Sequence, residues 1–170
     1  MRFVVPMTLS GIFAAPAWGA EVNLTVEIPR LEVAEYHRPY VAIWLETPEQ
    51  AFVGNVAVWY DLKLKNNEGT KWLKDMRQWW RRSGRELNMP VDGLSSATRA
   101  PGEHKVAMNA DKPPVANLKA GEYQIVIEAA REVGGRELLR VPLQWPPKAG
   151  QAQKIKGEHE LGTISLDIKP

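Results

Sequence analysis

The 170-residue sequence predicts an all-β fold, an immunoglobulin-like antiparallel β-sandwich with one amphipathic helix packed on a sheet face. Three observations lead there. About seven short segments alternate apolar and polar residues with a period of two and are separated by turn residues. No strand-helix-strand rhythm accompanies them, which excludes the parallel sheets of α/β proteins. One stretch, Thr70 to His104, breaks the pattern with a run of Trp, Arg and Lys at helical spacing.

Residues 1–19 read as a secretory signal peptide. Arg2 supplies the positive start, Phe3 to Ala17 is apolar and uncharged, and the run is too short to span a bilayer. Cleavage is expected between Ala17 and Ala20, with the cut after Gly19 preferred because small residues then flank it. Residues 20–170 follow as a single β-sandwich domain delivered to the periplasm. The chain has no Cys, so lipid anchoring is excluded and export brings no disulfides; the fold must be held by its core. Loss of Arg2 leaves the mature chain one basic residue short of 22, against 20 acidic ones. Near-neutral bulk charge gives no case for nucleic acid, and no later segment reads as a membrane span.

Glu21 to Ile28 sets Val22, Leu24, Val26 and Ile28 against Asn23, Thr25 and Glu27, a half-buried strand ended by Pro29. A polar connection carrying His37 leads to Tyr40 to Glu46, apolar on both faces. Val56 to Lys65 is read with Val56, Val58, Tyr60, Leu62 and Leu64 inward, so Trp44 and Trp59 are expected to share an outer face and to need a cover.

The cover follows directly. After a turn at Asn66 to Gly69, Thr70 caps a helix over about 70–83. Trp72, Leu73, Met76, Trp79 and Trp80 share one arc, with Lys74, Arg77 and Arg81 opposite; Gly84 stops the helix as a left-handed cap. Residues 86–102 hold Pro90, Gly93, Pro101 and Gly102 without period, a long loop of the kind that is functional or mobile. Strands are then expected over His104 to Met108, Tyr123 to Ala129 and Arg136 to Leu143, the last two joined by a tight turn with positive φ at Gly134 and Gly135. A polar stretch to Gly157 precedes Ile164 to Ile168, with a bulge bringing Leu161 into register.

Candidate chemistry concentrates on the helix and loop. Arg77, Arg81 and Arg82, with Arg85 near them, offer guanidinium groups to an anion, against the plainer alternative of a solvated helix face. Ser95, Ser96, Thr98, Arg99 and His104 gather polar groups in the loop, yet Gly93 to Ala97 lacks the final Gly and the strand-to-helix context of a nucleophile elbow. His37, His104 and His159 show no metal-ligand spacing; only folding would bring them together around haem or a metal. No cofactor motif is read.

The segments YVAIWLE, VAVWY, KWLKDMRQWWRRSGR, DGLSSATRAPGEH, GEYQIVIEAARE and GGRELLRVPL resemble the bacterial family of predicted periplasmic proteins called domain of unknown function 2271, over nearly the whole mature chain. The resemblance implies an exported β-sandwich without established activity. It also implies a genomic neighbourhood of PepSY-type membrane proteins and flavin transferases, hence a link to iron acquisition or flavin-dependent electron transfer. The sequence departs from the family after His104, where Met108-Asn109-Ala110-Asp111-Lys112 replaces a Trp-Asp-Gly pattern with an acidic turn.

The expectation is therefore a non-catalytic periplasmic binding or accessory protein. Arg77, Arg81, Arg82, Ser95, Ser96, Thr98, Arg99 and His104 would form one surface for a membrane or periplasmic protein partner or for an anionic ligand. A haem or metal carrier using His104 with His37 or His159 is the second expectation, and an enzyme of unrecognised type the third.

Overall fold

The computed structural model describes residues 19–170, so the signal-peptide reading lies outside the described residues except at Gly19. Among them are nine strands: β1 (Glu21–Ile28), β2 (Tyr40–Glu46), β3 (Phe52–Tyr60), β4 (Ser95–Ala97), β5 (Gly102–Asn109), β6 (Gly121–Ala130), β7 (Arg136–Trp145), β8 (Gln151–Lys156) and β9 (Thr163–Lys169). They form a four-stranded sheet in the order β5-β1-β9-β8 and a five-stranded sheet in the order β4-β3-β2-β6-β7. Apolar residues of both sheets share one core: Val22, Leu24, Val26, Ile164 and Leu166 from the first, Val41, Ile43, Leu45, Ile125 and Val141 from the second. The alternation read in the sequence is what places them there.

The mostly-β, two-sheet expectation holds, with corrections. The fold is not wholly antiparallel, because β4 runs parallel to β3. This strand order does not establish immunoglobulin-like connectivity. β4 lies inside the stretch read as a loop, and β8 inside the stretch read as merely polar. Both are edge strands, held by backbone pairing on one side, so their side chains need no apolar alternation. The β6–β7 connection spans residues 131–135, with Arg131 N–H donating to Gly135 O at 3.1 Å. Its positive φ falls on Val133 rather than on Gly134 or Gly135. Leu161 is buried from the β8–β9 connection, not through a bulge in β9.

A second core lies on the other face of the five-stranded sheet. Tyr40, Ala42, Trp44, Val58, Tyr60, Val126 and Ala130 are covered there by Leu73, Met76 and Trp79. Trp44 is on the expected face, but Trp59 is not. Val41 pairs with Trp59, and Val41 faces the core between the sheets, so Trp59 faces it too. Both faces of β3 are apolar; alternation alone therefore does not say which is inward, and a one-residue change of register exchanges them.

The covering layer is not one continuous α-helix. A 3-10 segment, Lys65–Asp75, is interrupted near its start by left-handed Asn66 and Asn67, and the backbone leaves helical geometry again at Met76. Only Arg77–Arg82 is α-helical; we call it α1. Leu73, Met76 and Trp79 are buried at intervals of three, the period at which 3-10 side chains eclipse. Trp72, one position before Leu73, is turned away and 38% exposed, which corrects its place in the buried arc. Gly84 opens a further 3-10 turn, Gly84–Glu86, instead of a left-handed cap. A Cβ there would lie 2.5 Å from the Trp79 ring, so close approach explains this glycine.

The loop before β9 is held by a carboxylate. Glu137 accepts backbone N–H bonds from Glu158, His159, Glu160 and Leu161 at 2.7, 3.0, 2.8 and 2.8 Å. Burial pushes its pKa up, but those four donors outweigh it and leave the group below the usual carboxylate value. Glu27, accepting from Thr163 N–H at 2.6 Å, is lowered chiefly by that bond. A carboxylate with a depressed folded-state pKa contributes stability that is fully present above its unfolded value and lost as pH falls through the folded one. The urea midpoint is therefore expected to decline below about pH 4.5. Glu137→Gln should cost about 2 kcal/mol at pH 7 and progressively less in acid, because the charge-assisted bonds it removes are already lost there.

Candidate functional site

The covering layer delivers the predicted arginines to solvent. Arg77, Arg81 and Arg82 are exposed, while Trp79 between them is buried. Lys74, Arg77 and Arg81 meet Arg136 of β7 around the half-buried Trp80 indole, lining a cleft of about 480 Å³. Arg82 does not line it. Among the described residues no carboxylate lies within 4.0 Å of the charged groups of Lys74, Arg77, Arg81 or Arg82. Arg81 Nη2 donates to Gln78 Oε1 at 2.7 Å, a neutral partner that orients the guanidinium and leaves its charge uncompensated.

Buried glutamates organise this side of the sheet. Glu128 of β6, 0% exposed, accepts from Gln78 N–H at 3.0 Å, Trp79 N–H at 2.7 Å and Arg136 Nη1 at 2.6 Å. It caps α1 from β6, since among the described residues the N-cap position, Met76, makes no side-chain capping bond. Glu46 accepts from Trp44 Nε1 at 2.9 Å and from Arg140 Nε at 3.3 Å. One carboxylate thus holds α1 and β7 in fixed relation, and both walls of the cleft with them.

The loop residues lie elsewhere. Ser95 and Ser96 are in β4, at the edge of the sheet opposite β7. Ser95 Oγ accepts from Val91 N–H at 2.9 Å, and Ser96 Oγ accepts from Arg99 Nη2 at 3.4 Å. The Arg99 guanidinium lies 5.2 Å from the Trp59 ring centroid, and the His104 ring meets the same indole edge-on at 5.9 Å. His104 Nε2 is 2.7 Å from Ala100 O, and Thr98 Oγ1 donates to Asp61 Oδ1 at 3.4 Å. Neither Ser95 nor Ser96 hydrogen-bonds a histidine among the described residues. The structure therefore brings Arg77 and Arg81 together and sets Ser95, Ser96, Thr98, Arg99 and His104 apart from them.

The histidines likewise stand on separate elements. His37 lies between Glu35 at 2.9 Å and Glu132 at 3.6 Å, while His159 belongs to the exposed turn wrapped round Glu137. Among the described residues no group of three or more His, Asp and Glu is placed to hold a metal ion.

The family model described as "Predicted periplasmic protein (DUF2271)" matches residues 21–163. The chain belongs to this family. The match runs from β1 to the first residue of β9 and so includes the basic cleft, the covering layer and the loop round Trp59. This DUF2271 protein is accordingly periplasmic, and no helix among the described residues is long and apolar enough to cross a membrane. No curated protein and no solved structure matches it.

Sequence reading missed Lys74, Trp80 and Arg136 as cleft residues, and Glu128 as the group that positions them. A signal was present for Glu128: a lone acid followed by Ala129 and Ala130 at the end of the apolar run Ile125 to Ile127 needs a buried partner.

Proposed function

We propose that this protein is a non-catalytic periplasmic binding or accessory module that captures an anionic group, carried by a partner protein or a small ligand, in the cleft of Lys74, Arg77, Arg81 and Arg136. The supporting observation is the unpaired charge of Lys74, Arg77 and Arg81 on a wall anchored by buried Glu128. Guanidinium groups suit carboxylate and phosphate oxygens because their donors form a planar fork, and Trp80 adds a face for an apolar or aromatic portion. A cleft lined by one sign of charge also concentrates the opposite sign before contact. Iron acquisition and flavin-linked electron transfer are the contexts the family resemblance implies for such a module.

Charge reversal tests the reading. Titration calorimetry with pyrophosphate and with an acidic peptide is expected to show binding by at least one of them that weakens as salt rises. Arg77→Glu with Arg81→Glu should reduce it by about tenfold or more while the melting temperature stays close to that of the parent, since both side chains are exposed. Binding unchanged by the double reversal, or no binding of either probe, overturns the proposal.

A further inference from the structure

A second cleft, of about 310 Å³, opens where the polar connection into β2, the ends of β3 and β6, and the 3-10 segment meet. It is separate from the basic cleft and has a different charge pattern. From the residue that follows β3 and from the covering layer come Asp61, Asp75 and the partly exposed Trp72 indole. Asp61 accepts the long Thr98 hydroxyl bond, and among the described residues neither Asp61 nor Asp75 has a cation within 4.0 Å. From the connection and the end of β6 come Tyr36, Arg38 and Arg131. Arg38 is exposed and, among the described residues, has no carboxylate within 4.0 Å. Arg131 is 6% exposed at its side chain and spends Nε and Nη2 on Glu160, at 2.8 and 3.1 Å. Among the described residues its buried Nη1 has no hydrogen-bond partner, and neither has the buried Tyr36 hydroxyl. The cleft's other ionisable side chains are Glu132 and His37, whose ring nitrogens lie 2.9 Å from Glu35 and 3.6 Å from Glu132.

Apart from Glu132, which sits against His37, the free groups sort by element, acceptors on one set and donors on the other. Two unmatched carboxylates beside an indole call for a cationic group, which gains from both the charge and the ring face. An unmatched guanidinium, with two further donors buried behind it, calls for an acceptor that carries negative charge. The volume is near the lower end for small-molecule sites, which excludes an extended chain.

We propose that this cleft binds a small zwitterion of amino-acid size, its ammonium toward Asp61, Asp75 and Trp72 and its carboxylate toward Arg38. Either charge alone satisfies only one set of groups and leaves the other unpaired, so a molecule with both is favoured over a simple amine, a simple carboxylate or a neutral sugar.

The test titrates the mature protein with L-alanine, L-arginine and L-phenylalanine, and separately with ethylamine, acetate and glucose, by calorimetry and tryptophan fluorescence. At least one amino acid is expected to bind saturably with a Kd of about 1 mM or below, and the three single-function probes at least about tenfold more weakly. Asp61→Asn with Asp75→Asn, and separately Arg38→Gln, should each weaken binding by about tenfold at an unchanged melting temperature, because all three side chains are exposed. Trp72→Phe should remove the fluorescence response. Arg77→Glu with Arg81→Glu should leave amino-acid binding intact. Three results overturn the proposal: no saturable response to any amino acid, ethylamine or glucose binding as tightly as the best amino acid, or binding that survives the Asp61 and Asp75 changes but not the Arg77 and Arg81 changes.

Discussion

Trp79→Ala is expected to destabilise the protein by about 4 kcal/mol, within the range for removing a fully buried Trp side chain. Trp79 is 0% exposed and packs with Leu73 and Met76 over Tyr40, Trp44, Val58 and Tyr60. Its Nε1 donates to Asn55 Oδ1 at 2.8 Å, and Asn55 Nδ2 in turn donates to Ser83 Oγ at 2.7 Å. Truncation opens a cavity and also strands a half-buried amide oxygen, so two separate costs add. Urea denaturation gives the size of the loss; near-UV circular dichroism shows whether the aromatic layer loosens before the sheets do. Trp72→Ala is the control. Its indole is 38% exposed and outside both cores, and its removal is expected to cost under about 1 kcal/mol. Equal losses from the two substitutions would contradict the assignment of Trp79, and not Trp72, to the sheet side.

The contrast between these tryptophans shows how far the sequence carries. Its period located a covering layer between β3 and the stretch before β5 and required it to shield Trp44, which it does. The error lay in the pitch. A spacing of 3.6 residues puts Trp72 with Trp79, whereas the chain uses 3.0 up to Asp75, which turns Trp72 outward and leaves Leu73, Met76 and Trp79 of the expected arc buried. Local composition does not announce that choice, because the α-helix starts only where Glu128 supplies an acceptor from a distant strand.

A similar limit separates the arginines from the loop. Lys74, Arg77 and Arg81 were legible as exposed cations from helical period, with Arg82 added as a neighbouring guanidinium, and all four are exposed. Their grouping with Ser95 to His104 rested on nearness in sequence. The chain instead crosses the sheet between them, leaving the loop at the β4 edge around Trp59, while the cleft draws Arg136 from the β7 edge. Strand order is a long-range property, set by which apolar faces meet, and the alternation of β3 and of β7 is compatible with more than one order.

Glu128→Ala is expected to cost about 3 kcal/mol and to weaken anion capture in the basic cleft at the same time. The substitution leaves two backbone donors at the start of α1 without an acceptor and Arg136 without its carboxylate. Complete loss of a buried ion pair costs more than this, but the Arg136 side chain is 40% exposed and water takes over part of its solvation. The two effects on the cleft oppose each other. Deleting a negative charge makes the cleft more cationic, which alone would tighten an anion, whereas freeing α1 from β7 removes the fixed spacing of Arg77, Arg81 and Arg136, which weakens it. Glu128→Gln separates them: it keeps the volume and one carbonyl acceptor, should cost only about 1 to 2 kcal/mol, and removes the charge in full. If positioning governs capture, pyrophosphate or the acidic peptide will bind the Gln variant at least as tightly as the parent and the Ala variant less tightly, both measured by calorimetry at a temperature where each is folded. Tighter binding by both variants would mean that net charge alone sets the affinity, and that the buried carboxylate serves the fold without shaping the site.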